Sequence, residues 1–305
     1  MYFPYLRGRQ FELIALREFA HERGDNKNVI PIVEPVKKTF NSIKIALNKF
    51  KELRLNFALI LNPQIGEIGD YEIIFEHLAE ILNLIDWIPA FILNRNTADI
   101  QYILKLKGLR KIMIILGDSV DTGSGEFLNF VKSDYVEYIV SKENRTLKKS
   151  LRNSGKRLIR LDSCFNQQRR NADYLRIPEE KFTEEHLFYN EDGYFGFSDF
   201  TTLPDEYIEG ATSPYAISIH LTYKKENDEI WIRHFTSESN DDQANIQGKF
   251  AEAAEKAVNF LDNQQINTHA SNELRRYYHE ARYPGLGIIK KISIKHHLEV
   301  VNNIL

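Results

Sequence analysis

"NVIPIVEPVKK", residues 28–38, is the stretch from which the fold can be read. Residues 29–33 form an apolar run, and a carboxylate, Glu34, follows at once, ahead of Pro35. A short apolar run of this kind reads as a strand buried on both faces, the habit of a parallel sheet. A charge at its end can face solvent or a ligand there without entering the packed interior. The same pattern recurs along the chain. "YFPYLRG" closes at Arg7, "FALILNP" at Asn62, "IPAFILNR" at Asn94 and Arg95, and "IMIILGD" at Asp118. "VEYIVSK" closes at Ser141 and Lys142, "RLIRLDS" at Asp162, and "YFGFSDF" at Ser198 and Asp199.

Helical periodicity fills most of the intervals. "RQFELIALREFAHE" places Phe11, Ile14, Ala15 and Phe19 on one face, and "NSIKIALNKFKEL" does so with Ile43, Ala46, Leu47 and Phe50. "YEIIFEHLAEIL" and "TADIQYILKLKG" repeat the spacing, and Gly108 and Gly155 stand where helices stop. Strand alternating with helix implies parallel strands joined by right-handed crossovers. Strands are expected near residues 2–6, 29–34, 56–62, 88–94, 111–117, 136–141, 157–162 and 193–198. Eight such units in about 200 residues match a TIM-like (β/α)8 barrel. The rival, a doubly wound open sheet, usually carries a Gly-rich phosphate turn after its first strand. "LRGRQFE" follows the first strand here and is no such turn.

In a parallel barrel every strand C-terminus opens on one face, where active sites of such barrels lie. The polar strand ends are therefore expected to form a ring. Glu34, Asp162 and Asp199 are its candidate acid–base or metal-ligating carboxylates. Arg7, Arg9, Arg95 and Lys142 could hold phosphate, and Asn62, Asn94 and Asp118 could orient a ligand. That set suits a phosphorylated or nucleotide-like small molecule, with Mg²⁺ or another divalent cation as cofactor. It fits a metal-assisted phosphoryl hydrolase or a ligand sensor without choosing between them. "DTGSGEF", residues 121–127, reads as a helix cap or a small anion nest.

Beyond residue 199 the pattern changes. "YAISIHLTYKKENDEIWIRHF" holds two alternating runs around "KKENDE", an antiparallel hairpin. Alternation puts Ser218, His220 and Thr222 opposite Ile217, Ile219 and Leu221. His220 and His234 are further catalytic candidates, as an acid–base pair or metal ligands. Helical stretches follow, so residues 1–199 read as the barrel and 200–305 as a hairpin and helical extension packed on it within one structural unit.

The 305 residues carry a net charge of −3, which gives no general attraction to nucleic acid or anionic membrane. Residues 142–181 hold twelve Lys or Arg against five acids, while 183–210 hold eight acids and no Lys or Arg. The basic segment reads first as a solvated helix face, with nucleic acid a minority reading. One cysteine, Cys164, fits a reducing compartment, and no stretch has the length of a membrane span. The expected location is cytoplasmic.

"YFPYLRGRQFELIALRE", "IVEPVK", "SDF" near residue 199, "YAISIHLTY" and "IWIRHFTSESNDD" together resemble the beta protein family, named for a satellite-phage protein and widespread in bacteria and prophages. The resemblance implies a setting in phage exclusion or a toxin–antitoxin-like module, with an operon-encoded protein partner. It brings no catalytic residues with it. Two functions are therefore expected to compete: a barrel-mouth site for a phosphorylated ligand, and a non-catalytic partner-binding subunit that uses the barrel as scaffold.

Overall fold

The computed structural model describes residues 1–94, 96–210 and 214–305. The chain divides into two compact units. The first comprises Met1–Leu13, Asn26–Asp162 and Glu185–Asp199; the second comprises Ile14–Asp25, Ser163–Glu184 and Phe200–Leu305.

The first unit is the (β/α)8 barrel. Its parallel strands are β1 (Tyr5–Leu6), β2 (Ile32–Val33), β3 (Ala58–Ile60), β4 (Ile88–Leu93), β5 (Ile112–Leu116), β6 (Val136–Ser141), β7 (Arg157–Leu161) and β9 (Gly196–Ser198), hydrogen-bonded in that order. A parallel bridge between Tyr2 and Phe197 joins the last strand to the chain start, and the Tyr5 amide donates to the Asp199 carbonyl at 2.8 Å. Helices α1 (Gln10–Glu22), whose residues from Ile14 on belong to the second unit, α2 (Asn41–Leu53), α3 (Tyr71–Leu82), α4 (Ala98–Lys107), α5 (Gly125–Lys132), α6 (Arg145–Leu151) and α7 (Glu185–Phe188) occupy the crossovers. The α2 helix buries Ile43, Ala46, Leu47 and Phe50, the face its spacing predicts. Full burial of each large apolar side chain stabilises by about 1.5–3 kcal/mol. Asp70, Ser124 and Asn144 cap α3, α5 and α6 by accepting amide hydrogen bonds. "DTGSGEF" is thus the turn and cap of α5.

Ring contacts fix which side of each strand faces inward. Phe3 lies 6.1 Å from Tyr138 of β6 and 6.3 Å from Phe195, and the Arg157 guanidinium covers Tyr138 and Phe195. Strands three places apart touch only across a barrel interior, so Phe3, Tyr138 and Arg157 point inward. Alternation sends Tyr5 the same way and Tyr2 outward. Tyr2 stacks on Phe197 at 5.0 Å, and Phe197 also meets Tyr189, just past α7, at 5.4 Å.

The second unit holds a three-stranded antiparallel sheet in the order β10 (Ser218–Lys224), β11 (Ile230–Thr236), β8 (Glu179–Thr183). Its helices are α8 (Ile246–Asn263), α9 (His269–His279) and α10 (Leu286–Ile304). Ile217, Ile219, Leu221 and Phe235 from the hairpin form a core with Phe250, Ala254, Leu274 and Ile292 from the three helices. The hairpin faces follow the expected alternation. β8 comes from a segment that the sequence reading leaves inside the barrel stretch. "EEKFT" is short and polar because it is an edge strand, and it shows no alternation to read.

Candidate functional site

Most described candidates of the ring follow the C-terminal ends of barrel strands, and the local geometry divides them into separate groups. The inward group centres on Glu34, which is 2% exposed. Its Oε2 accepts from the Tyr5 hydroxyl at 2.7 Å, its Oε1 accepts from the Gln64 amide at 3.0 Å, and Arg7 Nε lies 3.7 Å away. Arg7 also covers the Tyr5 ring at 5.2 Å. Gly66 shapes this corner. With φ +83°, it lets the loop after β3 pass so close to Val36 that an added Cβ would overlap the Val36 carbonyl.

Asp199 belongs to the other face. It shares the helix-facing side of Phe197 by alternation, and its Oδ1 accepts from the outward Tyr2 hydroxyl at 2.6 Å. Asp162 pairs with Arg160, two residues back on the same side of β7, at 2.8 Å. Burial lifts the Asp162 carboxyl above its ordinary range; Arg160 opposes the rise and Asp199 adds to it.

Arg160 was not among the sequence candidates. Besides Asp162 it faces Glu185 at 3.1 Å, Asp192 at 3.8 Å and Glu143 at 4.0 Å. Four carboxylates thus surround one guanidinium, two of them, Glu185 and Asp192, from the acidic block of the sequence. The other two, Glu143 and Asp162, lie within the basic block itself. The signal was present as block charge, but nothing in "RLIRL" marks Arg160 as the hub.

The remaining ring members bond along the rim. Asn62 donates to the Ile92 carbonyl and accepts from the Ile92 amide, both at 2.8 Å, continuing the β3–β4 ladder with its side chain. Gln64 donates to the Asn62 carbonyl, and Asn94 donates to Gln64 at 2.9 Å. Asp118 and Lys142 form an exposed pair at 2.8 Å. Arg9 lies half-buried after β1. Arg95 lies outside the described residues.

The histidines of the second unit meet directly. His220 is registered opposite His234, and their Nδ1 atoms are 2.7 Å apart. His234 Nε2 lies 3.2 Å from Glu180 Oε1 of β8. Glu180 therefore fixes the proton on His234 Nε2, His234 Nδ1 accepts, and His220 Nδ1 donates. Phe165 and Tyr174 enclose both imidazoles, with centroids 4.4–6.3 Å away. Burial pushes His220 well below the ordinary imidazole range and lowers His234 too. Burial also pushes the Tyr174 hydroxyl up to about 12. The pair is neutral and aromatic-walled at neutral pH. Among the described residues, no three His, Cys, Asp or Glu side chains are grouped to hold a metal ion. Among the same residues, no helix is long and apolar enough to cross a membrane.

No family model matches the chain, and no curated protein matches it.

Proposed function

We propose that this protein is a non-catalytic binding subunit of a bacterial or prophage phage-defence module, with the barrel as its scaffold. The setting rests on the resemblance to the beta protein family. The binding role rests on one observation: the polar strand ends are engaged with one another. Glu34 is held by Tyr5, Gln64 and Arg7, while Asp162 and Asp199 are held on the opposite side of the barrel wall by Arg160 and Tyr2. A phosphorylated ligand drawing Arg7 to itself at the mouth would take from Glu34 its one cationic neighbour, leaving the buried carboxylate only the Tyr5 hydroxyl and the Gln64 amide.

The barrel unit offers an apolar surface where a partner could dock. Tyr102 and Leu106 stand one turn apart on α4, 63% and 53% exposed. Lys107 beside them covers the Phe75 and Tyr71 rings of α3. Two exposed apolar side chains side by side on one helix face give a partner an anchor.

The test couples co-purification with the operon-encoded neighbour to a phage-challenge assay. Tyr102→Glu with Leu106→Glu is expected to lose partner and protection at an unchanged melting temperature. Asp199→Asn, wherever it folds, is expected to retain both. A folded Asp199→Asn variant that keeps the partner and loses protection, beside a fully active α4 variant, would return the mechanism to the strand ends.

A further inference from the structure

A second polar centre lies where three helical segments of the second unit meet. Glu22 at the end of α1 and Arg23 just past it, Asn267 and His269 at the start of α9, and Glu299 and Asn303 of α10 line a cavity of about 330 Å³. Glu299 is 7% exposed. Its Oε2 accepts from the Ala270 amide at 3.1 Å, and its Oε1 accepts no hydrogen bond from any described donor.

The surrounding charges do not balance. Lys291 donates to Glu18 and Glu273, and Lys295 donates to Glu18 and Glu22. Arg23 faces Asp25. Four carboxyl groups thus share two ammonium groups, and Glu299 is the one without an ammonium hydrogen bond of its own. His269 stands 4.0 Å from Glu22. The centre offsets part of this repulsion with a proton: burial first, then the facing Glu22, raises the Glu299 carboxyl to about 7. That proton occupies the place of a cation.

We propose that this cavity binds a small organic cation, an ammonium-bearing metabolite whose charge is received by Glu299 and Glu22. An ammonium group supplies three donors and stays charged across the physiological range. The cavity volume lies at the small end of the range for small-molecule sites. Neighbouring asparagine amides supply further acceptors at the rim. The ligand displaces the shared proton, so binding and proton release are coupled. The groups acting directly on Glu299 are Glu22 of α1 and Lys295 of α10; Arg23, just past α1, and His269 of α9 share the cavity wall, and Glu18, Glu273 and Lys291 connect to them through the ammonium hydrogen bonds. The site lies within the second unit, and its occupancy does not depend on the role proposed for the barrel.

The test is calorimetric titration of the full chain with n-butylamine, with 1-butanol as the uncharged control. Affinity for the amine is expected to rise about tenfold between about pH 5.5 and pH 6.5, with a proton released into the buffer. Butanol is expected not to bind. Glu299→Gln, which keeps an acceptor for the Ala270 amide, is expected to weaken amine binding by about tenfold or more and to remove its pH dependence. The wild-type pH profile and the butanol control decide the matter alone should that variant not fold. Amine binding that is absent, that is matched by butanol, or that is unchanged by pH and by Glu299→Gln would overturn the proposal.

Discussion

At the residue scale, Glu34 shows how a buried carboxylate is kept. Its two oxygens accept from a tyrosine hydroxyl and a backbone amide, and Arg7 stands alongside. Carboxylates gathered at a barrel mouth are expected to repel, so removing one could stabilise the fold. The observed contacts reverse that expectation for Glu34, because it is surrounded by donors. Glu34→Ala should destabilise the chain by about 3–5 kcal/mol, the cost of breaking a buried pair from one side. Urea denaturation measures this, and an unchanged midpoint would show that Arg7, Tyr5 and Gln64 find other partners. The motif "IVEPVK" made Glu34 conspicuous. It could not show that Tyr5, one strand away and 29 positions earlier, holds the carboxylate.

At the element scale, the sequence was most legible where one helix face packs on one strand layer. The burial of α2 and the faces of the β10–β11 hairpin follow directly from 3.6- and 2-residue periodicity. Loops between elements obey other rules. The segment after β3 can pass Val36 only because residue 66 has no Cβ and holds a positive φ. Gly66→Ala should therefore cost at least about 1 kcal/mol from the backbone alone, with overlap at Val36 adding to it. A fall in melting temperature with an unaltered far-ultraviolet spectrum is the expected result. A melting temperature equal to wild type would mean the loop rearranges freely. The edge strand β8 illustrates the opposite case. Its pairing with β11 depends on a neighbour about 50 positions away, and its own residues carry no strand periodicity.

At the scale of the whole molecule, opposing buried titrations set the response to pH. Glu299 carries its proton in the folded state up to about pH 7, whereas its ordinary value is 4.5. The folded state then binds more protons than the unfolded one between these values, so this group's contribution to stability falls as pH rises through the window. Burial holds His296 at about 4, below its ordinary 6.5. Its contribution has the opposite sign: stability is full above about 6.5 and is lost as pH falls toward 4. His220 and His234, also lowered, act in the same direction as His296. Between about pH 4.5 and 6.5 Glu299 therefore masks part of the histidine effect. Glu299→Gln should make stability rise with pH more steeply there, by roughly 1.4 kcal/mol per pH unit. Denaturant melts at three pH values would show it, and parallel slopes in the two proteins would exclude the titration. The sequence by itself determined the barrel, since apolar runs with polar ends, spaced by helical faces, are local patterns that each strand carries within itself. It also placed Glu34, Asp162 and Asp199 at strand ends and His220 and His234 on the two strands of one hairpin. Only the tertiary structure decided which of them meet. Tyr2 reaches Asp199 across 197 positions, and Lys291 reaches Glu18 across 273. Such pairings depend on chain closure and helix packing, which leave no periodic trace in the residues that make them.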